Sequence, residues 1–148
     1  MAYNAQSLQQ AAVWNATRNG SAGGIWQSGA GPAADASGNV YLATGNGTFD
    51  LNTGGSDAGD SIVKLCSPAG ATLPVLDYFT PYNQGVLSST DTDVGLGGVV
   101  LLPDQPSGSA HQHLLVQMSK EGTLECLRLH DVSQSRCPCA RPWARRRQ

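Results

Sequence analysis

The sequence predicts an all-β fold, and three observations lead to that prediction. The chain of 148 residues contains 18 glycines and 8 prolines, a composition rich in turn formers. No segment of helical length places apolar residues at the i, i+3, i+4 and i+7 spacing. By contrast, the run Val-Tyr-Leu-Ala-Thr at residues 40–44 alternates in the way that a half-buried strand does.

The N-terminal part predicts the end of a β-sheet. Residues 3–14 contain a short strand, a polar turn around residues 4–7 and an outer strand that ends at Val13 and Trp14. A helix over residues 5–13 is the competing interpretation, since Ala, Gln and Leu favour helices. We rank the strands first because the same pattern returns later in the chain.

The central stretch, residues 23–79, predicts four strands. A turn at residues 36–39 separates a first strand from the alternating one, and a sharp backbone bend follows at Asn46. The third strand covers residues 61–65, and the fourth closes on aromatic side chains. Residues 46–60, which lie between the second and third strands, are turn formers and are interpreted as an inserted loop.

The stretch that follows predicts a second, less complete sheet. Residues 80–92 are interpreted as a long connection, residues 93–104 as an inner strand and residues 113–119 as its partner. A turn at residues 120–122 then leads the chain into a strand that breaks off near Leu124.

The composition changes abruptly at Glu125. Residues 1–124 carry three basic and nine acidic side chains, which gives a charge of −6, whereas residues 125–148 carry six arginines and two acidic side chains, which gives +4. Three of the four cysteines also lie in this last segment. We interpret it either as an out-of-frame segment or as a natural disordered basic tail.

A spacing of 62 residues relates the strand ends to one another. Tyr3, Leu65 and Leu127 are separated by this interval, as are Val13 and Val75. Repeats in β-propellers run about 40 to 50 residues, so a longer period requires an insertion. The loop predicted after the second strand of the central stretch supplies most of it.

Three short motifs in the central stretch resemble those of the pyrroloquinoline quinone (PQQ) dehydrogenase-like β-propeller family. They are Pro32-Ala33-Ala34-Asp35, Gly38-Asn39-Val40-Tyr41 and Thr44-Gly45-Asn46. The resemblance, which covers residues 3–124, implies an incomplete propeller with one four-stranded blade at residues 23–79. Residues 1–22 would end the preceding blade and residues 80–124 would begin the next. The remaining blades of a longer, periplasmic or secreted protein would be the partners of this chain.

The same resemblance implies an oxidoreductase that acts on alcohols or sugars with PQQ and Ca²⁺. In that family an Asn in the Thr-Gly-Asn turn is a Ca²⁺ ligand, which corresponds to Asn46 here. An aspartate in the loop between two blades acts as the base, and Asp91 and Asp93 lie in the matching loop. Trp26 is the candidate for contact with the cofactor. We expect the isolated chain to be inactive and to bind neither cofactor tightly.

Each candidate also has a purely structural interpretation. Asn46 stands between two glycines, where it would tolerate left-handed backbone angles and hydrogen-bond its own turn. Asp91 and Asp93 would be exposed turn aspartates, and Trp26 would pack between blades. The loop that carries the aspartates lacks the His and Trp of the enzymes. The alternative function is therefore a non-catalytic interaction scaffold of an envelope or secreted protein.

Other residues bear on metal binding. The acidic loop at residues 50–60 resembles the start of a Ca²⁺-binding loop, but Ser61 occupies the position of its final acidic ligand. His111 and His113 share one face of a strand without an evident third ligand. The Cys-Pro-Cys at residues 137–139 has one intervening residue where zinc sites usually have two. A zinc-binding protein built on this tail is the third interpretation.

Two classes of partner are not expected. The longest apolar runs fall far short of the roughly 20 residues that a membrane helix needs. The N-terminus lacks the basic start and the apolar core of a secretory signal. The Arg run at residues 145–147 has no aromatic platform beside it, so neither a membrane span nor nucleic-acid binding is predicted.

Overall fold

A computed structural model describes residues 1–129, and within them the protein is mostly β-sheet. The strands in chain order are β1 (Ala2–Tyr3), β2 (Gln10–Ala12), β3 (Ala33–Ala34), β4 (Val40–Ala43), β5 (Ile62–Leu65), β6 (Val75–Phe79), β7 (Val99–Leu101), β8 (Leu114–Met118) and β9 (Leu124–Arg128). One short helix, α1 (Gln84–Ser89), lies between β6 and β7. The strands form three antiparallel sheets, β1-β2, β3-β4-β5-β6 and β7-β8-β9. The all-β prediction is confirmed.

The central sheet, β3 to β6, has a different apolar core on each face, and the alternation of β4 separates them. Leu42 points into one core, together with Val63 and Leu65 of β5. Tyr41 and Ala43 point into the other. The predicted alternation is therefore correct, because successive side chains of a strand face opposite sides of the sheet.

The turn between β3 and β4 depends on Asp35. Its Oδ1 accepts hydrogen bonds from the backbone N–H groups of Ser37 and Asn39, both at 2.9 Å, and its Oδ2 accepts one from the Tyr41 hydroxyl, also at 2.9 Å. Gly38 has a φ of 80°, which an L side chain rarely adopts. The Pro-Ala-Ala-Asp and Gly-Asn-Val-Tyr motifs therefore have a structural role here, since their residues form the turn and its hydrogen bonds.

A buried lysine, Lys64, lies on an inner strand of the central sheet. Lys64 is paired across the strands with Tyr41 on one side and Asp77 on the other. Its ammonium lies 5.4 Å from the centroid of the Tyr41 ring and 4.0 Å from Asp35 Oδ2. Burial lowers the pKa of Lys64, and the charges of Asp35 and Asp77 oppose that shift. The sheet thus holds a cation whose charge is balanced by neighbouring carboxylates.

The first core joins the central sheet to the third sheet. Ile62 of β5 packs there with Leu115 of β8, and both side chains are fully buried. Leu87 of α1 and Val94 fill the space between the two sheets. Strand β7 also contacts both β3 and β4, so the two sheets approach each other most closely at their first strands.

The second core joins the central sheet to the N-terminal ribbon. Trp14, like Leu51 and Leu73, packs against the buried strand residues of this core. The backbone N–H of Val13 donates to Ala71 O at 3.0 Å, which ties the end of the ribbon to the turn before β6. Strands β1 and β2 confirm the predicted strands, and the competing helix is wrong.

The structure differs from the sequence prediction in three places. The connection predicted at residues 80–92 contains α1, a helix of six residues that is too short to show an apolar period. The inner strand is confined to β7, because residues 94–96 form a 3-10 turn. The last strand does not break off near Leu124, since β9 pairs with β8 along its whole length. Residues 125–128, which the sequence assigns to the tail, therefore belong to β9. Residues 130–148 lie outside the described part.

The 62-residue spacing coincides with equivalent places in the sheets. Tyr3 lies in β1, Leu65 in β5 and Leu127 in β9. Strands β5 and β9 are each the third strand of their sheets, and β1 is followed by a partner strand in the same way as β5.

Among residues 1–129, no helix is long and apolar enough to cross a bilayer.

Candidate functional site

Asn46 lies just beyond β4, where three backbone hydrogen bonds fix the chain. The Gly45 N–H donates to Gly24 O at 2.7 Å, the Gly23 N–H donates to Asn46 O at 2.6 Å, and the Thr44 N–H donates to Ser61 O at 2.8 Å. The backbone of Asn46 is not left-handed, and its side chain does not bond its own turn. That structural interpretation of Asn46 is therefore wrong.

The glycines on either side of Asn46 are required by close approach rather than by backbone angle. A Cβ at Gly45 would collide with Asp93 Oδ1 and would lie 2.9 Å from Trp26 Nε1. A Cβ at Gly47 would lie 2.6 Å from the backbone nitrogen of Gly23. The Gly-Asn-Gly sequence thus allows other segments to pack directly against the main chain.

Asp93 is one of these neighbours, and it is almost completely buried. Its Oδ1 accepts a hydrogen bond of 2.9 Å from the Asn46 backbone N–H. Asp91 contacts the side chain of the same residue, since Asn46 Nδ2 donates to Asp91 Oδ1 at 2.7 Å. The Asp91 side chain is 82% exposed, and its backbone has a φ of 55°. The two predicted aspartates therefore meet Asn46, but only Asp91 is open to solvent.

Lys120 completes the cluster, and no motif in the sequence identifies it as a site residue. It lies in the turn between β8 and β9, where its ammonium is 3.1 Å from Asp91 Oδ2 and 3.7 Å from Asp93 Oδ2. The same ammonium donates to the main-chain oxygen of Asp91, and the Lys120 N–H donates to Asp93 O at 3.0 Å. The hydrogen bond to the Asp91 carboxylate raises the pKa of Lys120.

Trp26 borders the cluster and remains 65% exposed. Its ring lies over two glycines, because a Cβ at Gly24 would be 2.7 Å from the indole and one at Gly45 would be almost as close. The structure does not bury Trp26 between sheets, whereas Trp14 is partly buried in the second core. Trp26 therefore presents an accessible aromatic face beside Asp93.

Asp60 lies behind this cluster and is completely buried. Its backbone N–H donates to Gly45 O at 2.8 Å, and its carboxylate accepts longer bonds from the Val94 N–H at 3.3 Å and from Gln84 Nε2 at 3.4 Å. Burial raises the pKa of Asp60 to about 6, and the charge of Asp93 adds to the shift. The acidic loop predicted at residues 50–60 thus contributes one buried carboxylate to the rear of the site.

Two other carboxylates of that loop accept hydrogen bonds from backbone N–H groups, one within the loop and one in the N-terminal segment. Asp50 Oδ1 accepts the Asp57 N–H at 2.7 Å, and Asp57 Oδ1 accepts the Asn19 N–H at 2.9 Å. Throughout residues 1–129, no group of three His, Cys, Asp or Glu side chains is arranged to hold a metal ion. The loop therefore does not gather its acidic residues into a Ca²⁺ site.

The predicted histidine pair does not converge on one point either. His113 Nδ1 lies 2.7 Å from Asp104 Oδ1, whereas His111 Nδ1 is enclosed without a hydrogen-bond partner among the described residues. Cys126 on β9 is exposed and carries a free thiol. The Cys-Pro-Cys segment at 137–139, on which the zinc interpretation rests, lies outside the described residues.

The chemistry of the cluster decides whether it suits Ca²⁺. A carboxamide oxygen and two carboxylates are hard donors of the kind that Ca²⁺ takes, and Asn46 Oδ1 is buried without a donor among residues 1–129. However, the Lys120 ammonium already lies against both carboxylates. The described residues therefore do not fit a Ca²⁺ ion at this place.

An open cleft of about 480 Å³ adjoins Asn46 on the side of α1. Hydroxyl and amide groups predominate in its lining, which includes Ser21, Thr48, Gln84 and Ser88. No charged side chain is among its lining residues. The lining of the cleft is therefore polar and uncharged.

A search of protein-family models, of curated proteins and of solved structures found no match to this chain.

Proposed function

We propose that this chain is part of a β-propeller oxidoreductase that uses PQQ to oxidise alcohols or sugars. The observation that carries the proposal is the meeting of three separate connections at one point. Asn46 follows β4, Asp91 and Asp93 precede β7, and Lys120 follows β8. A cluster of acid, amide and cation beside an accessible tryptophan is the kind of arrangement that acid–base catalysis needs.

The arrangement of the sheets supports the propeller part of the proposal. Each sheet has its strands in chain order, and the third sheet packs on the central one with their first strands nearest to each other. Blades of four antiparallel strands around a central axis have this relation. Further blades from a longer exported protein would complete the ring.

The residues of this chain divide the work between holding and reacting. Asp93 is held by the Asn46 N–H and by Lys120, so it fixes the position of the loop. Asp91 is the group that a substrate can reach, and its Oδ2 would take the proton of the substrate hydroxyl. Trp26 would offer its exposed face to the planar cofactor.

PQQ, when bound, accepts the hydride equivalent from the substrate carbon. The cleft beside Asn46 supports the substrate class, because its uncharged hydroxyl and amide groups match the hydroxyls of an alcohol or sugar. Any Ca²⁺ at the cofactor would need ligands from outside the described residues, since the carboxylates of this cluster face Lys120.

The test is the oxidation of primary alcohols and aldoses by the intact protein, wild type and variants, with an artificial electron acceptor. We expect oxidation that depends on added PQQ. Asp91→Asn should lower kcat by about 10² to 10⁴, and Trp26→Leu should weaken PQQ binding. Val100→Thr, at an exposed position of β7, is the matched control. If the intact protein oxidises neither alcohols nor aldoses in the presence of PQQ, the proposed activity is wrong.

One observation favours the alternative, a non-catalytic interaction scaffold. The face of the third sheet that points away from the central sheet exposes the apolar side chains of Val100, Met118 and Leu124. Such a face suits contact with another protein surface. An intact protein that lacks PQQ-dependent oxidation but binds a protein ligand through this face would support the scaffold.

A further inference from the structure

Three oxygen atoms of the cluster surround the Lys120 ammonium. They belong to the two aspartates and are the main-chain oxygen of Asp91, Asp91 Oδ2 and Asp93 Oδ2. Carboxylate and main-chain oxygens at one point are the ligands that hard divalent cations take in proteins. Here the same set surrounds a monovalent cation that is covalently part of the chain.

Asn46 links the two aspartates. Its Nδ2 donates to Asp91 Oδ1 at 2.7 Å, and its backbone N–H donates to Asp93 Oδ1 at 2.9 Å. Its Oδ1 is enclosed and has no hydrogen-bond donor among residues 1–129. Asn46 therefore orients both carboxylates through its two N–H donors, one from the side chain and one from the backbone.

The main chain fixes Lys120 in this position. Its N–H donates to Asp93 O at 3.0 Å, and the turn that carries it is closed by the Gly122 N–H, which donates to Ser119 O at 3.0 Å. Asp93 is tied on its other side to the end of β4 through Asn46. The turn between β8 and β9 therefore places the Lys120 backbone beside Asp93, and from there the side chain reaches both carboxylates.

We propose that Lys120 is an internal cation that takes the place of a divalent metal, and that it makes this junction of three connections independent of Ca²⁺. A divalent ion brought to the same oxygens would be repelled by the ammonium at short range, and two carboxylates cannot balance both charges. Removal of the ammonium should expose the oxygen set and create a divalent-cation site. This inference uses only the geometry of the cluster and does not depend on the redox proposal.

The test uses terbium(III) and calcium with the 148-residue chain and its Lys120→Met variant. Trp26 and Asp93 both touch the position that a Cβ of Gly45 would occupy, so an ion held by Asp93 lies close enough for the indole to sensitise terbium emission. We expect Lys120→Met to bind terbium about tenfold or more tightly than the wild type, because a repelling charge has been removed. Calcium should compete for the site and raise the Tm of the variant but not that of the wild type.

Four further variants keep the result interpretable. Lys120→Arg retains a cation and should bind terbium no better than the wild type. Lys120→Met combined with Asn46→Ala should lose most of the gain, whereas a combination with Asp50→Asn, in the separate acidic loop, should keep it. Lys120→Gln repeats the measurement with an amide that can still donate to Asp91, in case Lys120→Met does not fold.

The proposal is overturned if the wild type binds terbium or calcium at this cluster as tightly as the folded Lys120→Met or Lys120→Gln variant does. It is also overturned if neither folded variant gains affinity. Both outcomes are read from metal binding alone. The oxidation assay of the proposed function is independent of them, so either proposal can fail without the other.

Discussion

The central sheet and the third sheet are built alike but are covered differently. Both are antiparallel with their strands in chain order, yet the central sheet has an apolar core on each face and the third sheet has one on a single face. On the third sheet, Val99 is 4% exposed and its neighbour Val100 is 54% exposed. Two sheets with the same strand order can therefore differ in whether their second face is covered, according to what packs on that face.

The largest expected difference is between two leucines on opposite faces of the third sheet. Leu115 is fully buried in the first core, so Leu115→Ala should lower the free energy of unfolding by about 2–4 kcal/mol. Leu124, which is 58% exposed, should lose less than about 1 kcal/mol on the same substitution. Urea unfolding of both variants measures the difference. Equal losses would mean that the outer face is covered in solution.

The turn of the central sheet provides the next test. Asp35→Ala removes the acceptor for two backbone N–H groups and for the Tyr41 hydroxyl, and it leaves the Lys64 ammonium with less compensation. We expect a loss of about 2–3 kcal/mol in the free energy of unfolding. Asp104→Ala, in an exposed part of the third sheet's hairpin, should cost less than about 0.5 kcal/mol. Similar values for the two variants would show that the Asp35 turn does not stabilise the sheet.

The dependence of stability on pH tests the buried carboxylate between the two sheets. Burial raises the pKa of Asp60 from 3.8 to about 6, so the folded protein binds this proton more tightly than the unfolded chain. The contribution of Asp60 to stability is therefore greatest below pH 3.8 and is lost as the pH rises through 6. Between pH 4 and pH 7 the loss should be about 1–3 kcal/mol.

Asp60→Asn isolates this contribution, since other carboxylates act in the opposite sense. The pKa of Asp35, for example, is lowered in the folded protein, so its contribution is lost as the pH falls. Thermal unfolding of the wild type and of Asp60→Asn across this pH range gives the difference between them. A difference that stays constant with pH would be incompatible with a raised pKa for Asp60.

The smallest effect on stability is expected for Val100→Lys, which sharpens the comparison of the two faces. Val100 projects from the outer face of the third sheet, so the free energy of unfolding should change by less than about 0.5 kcal/mol. The variant should bind less of a hydrophobic fluorescent dye and should self-associate less at high concentration. Val99→Lys is the matched variant, and it should fail to fold or should unfold at much lower urea, because that position is buried.

Much of the fold could be predicted from the sequence, because alternation and turn residues are local signals. The two-faced character of β4 follows from the order of its side chains, and the turn at Asp35 follows from its Asp, Ser and Gly. Helix α1 could not be predicted in the same way. It has six residues and buries only Leu87, so it lacks the repeated apolar positions that identify a helix.

The candidate site was predictable only in part. Asn46, Asp91 and Asp93 were selected from the sequence, and the structure brings them together. Lys120 was not selected, because its contact with the aspartates depends on how the third sheet packs on the central one. The burial of Asp60 depends on the same packing. Long-range contacts of this kind have no local pattern in the sequence.

The junction of Asn46, Asp91 and Lys120 has a consequence for the order in which the molecule folds. The hydrogen bond from Asn46 to Asp91 spans 45 residues, and that from Lys120 to Asp91 spans a further 29. Contacts between such distant positions form after hairpins whose strands are neighbours in sequence, because a larger loop must be closed. The cluster is therefore expected to assemble late in folding. A cut in the chain between residues 46 and 91 would place Asn46 and Asp91 on different fragments, so the hydrogen bond between them would then indicate that the two sheets have docked.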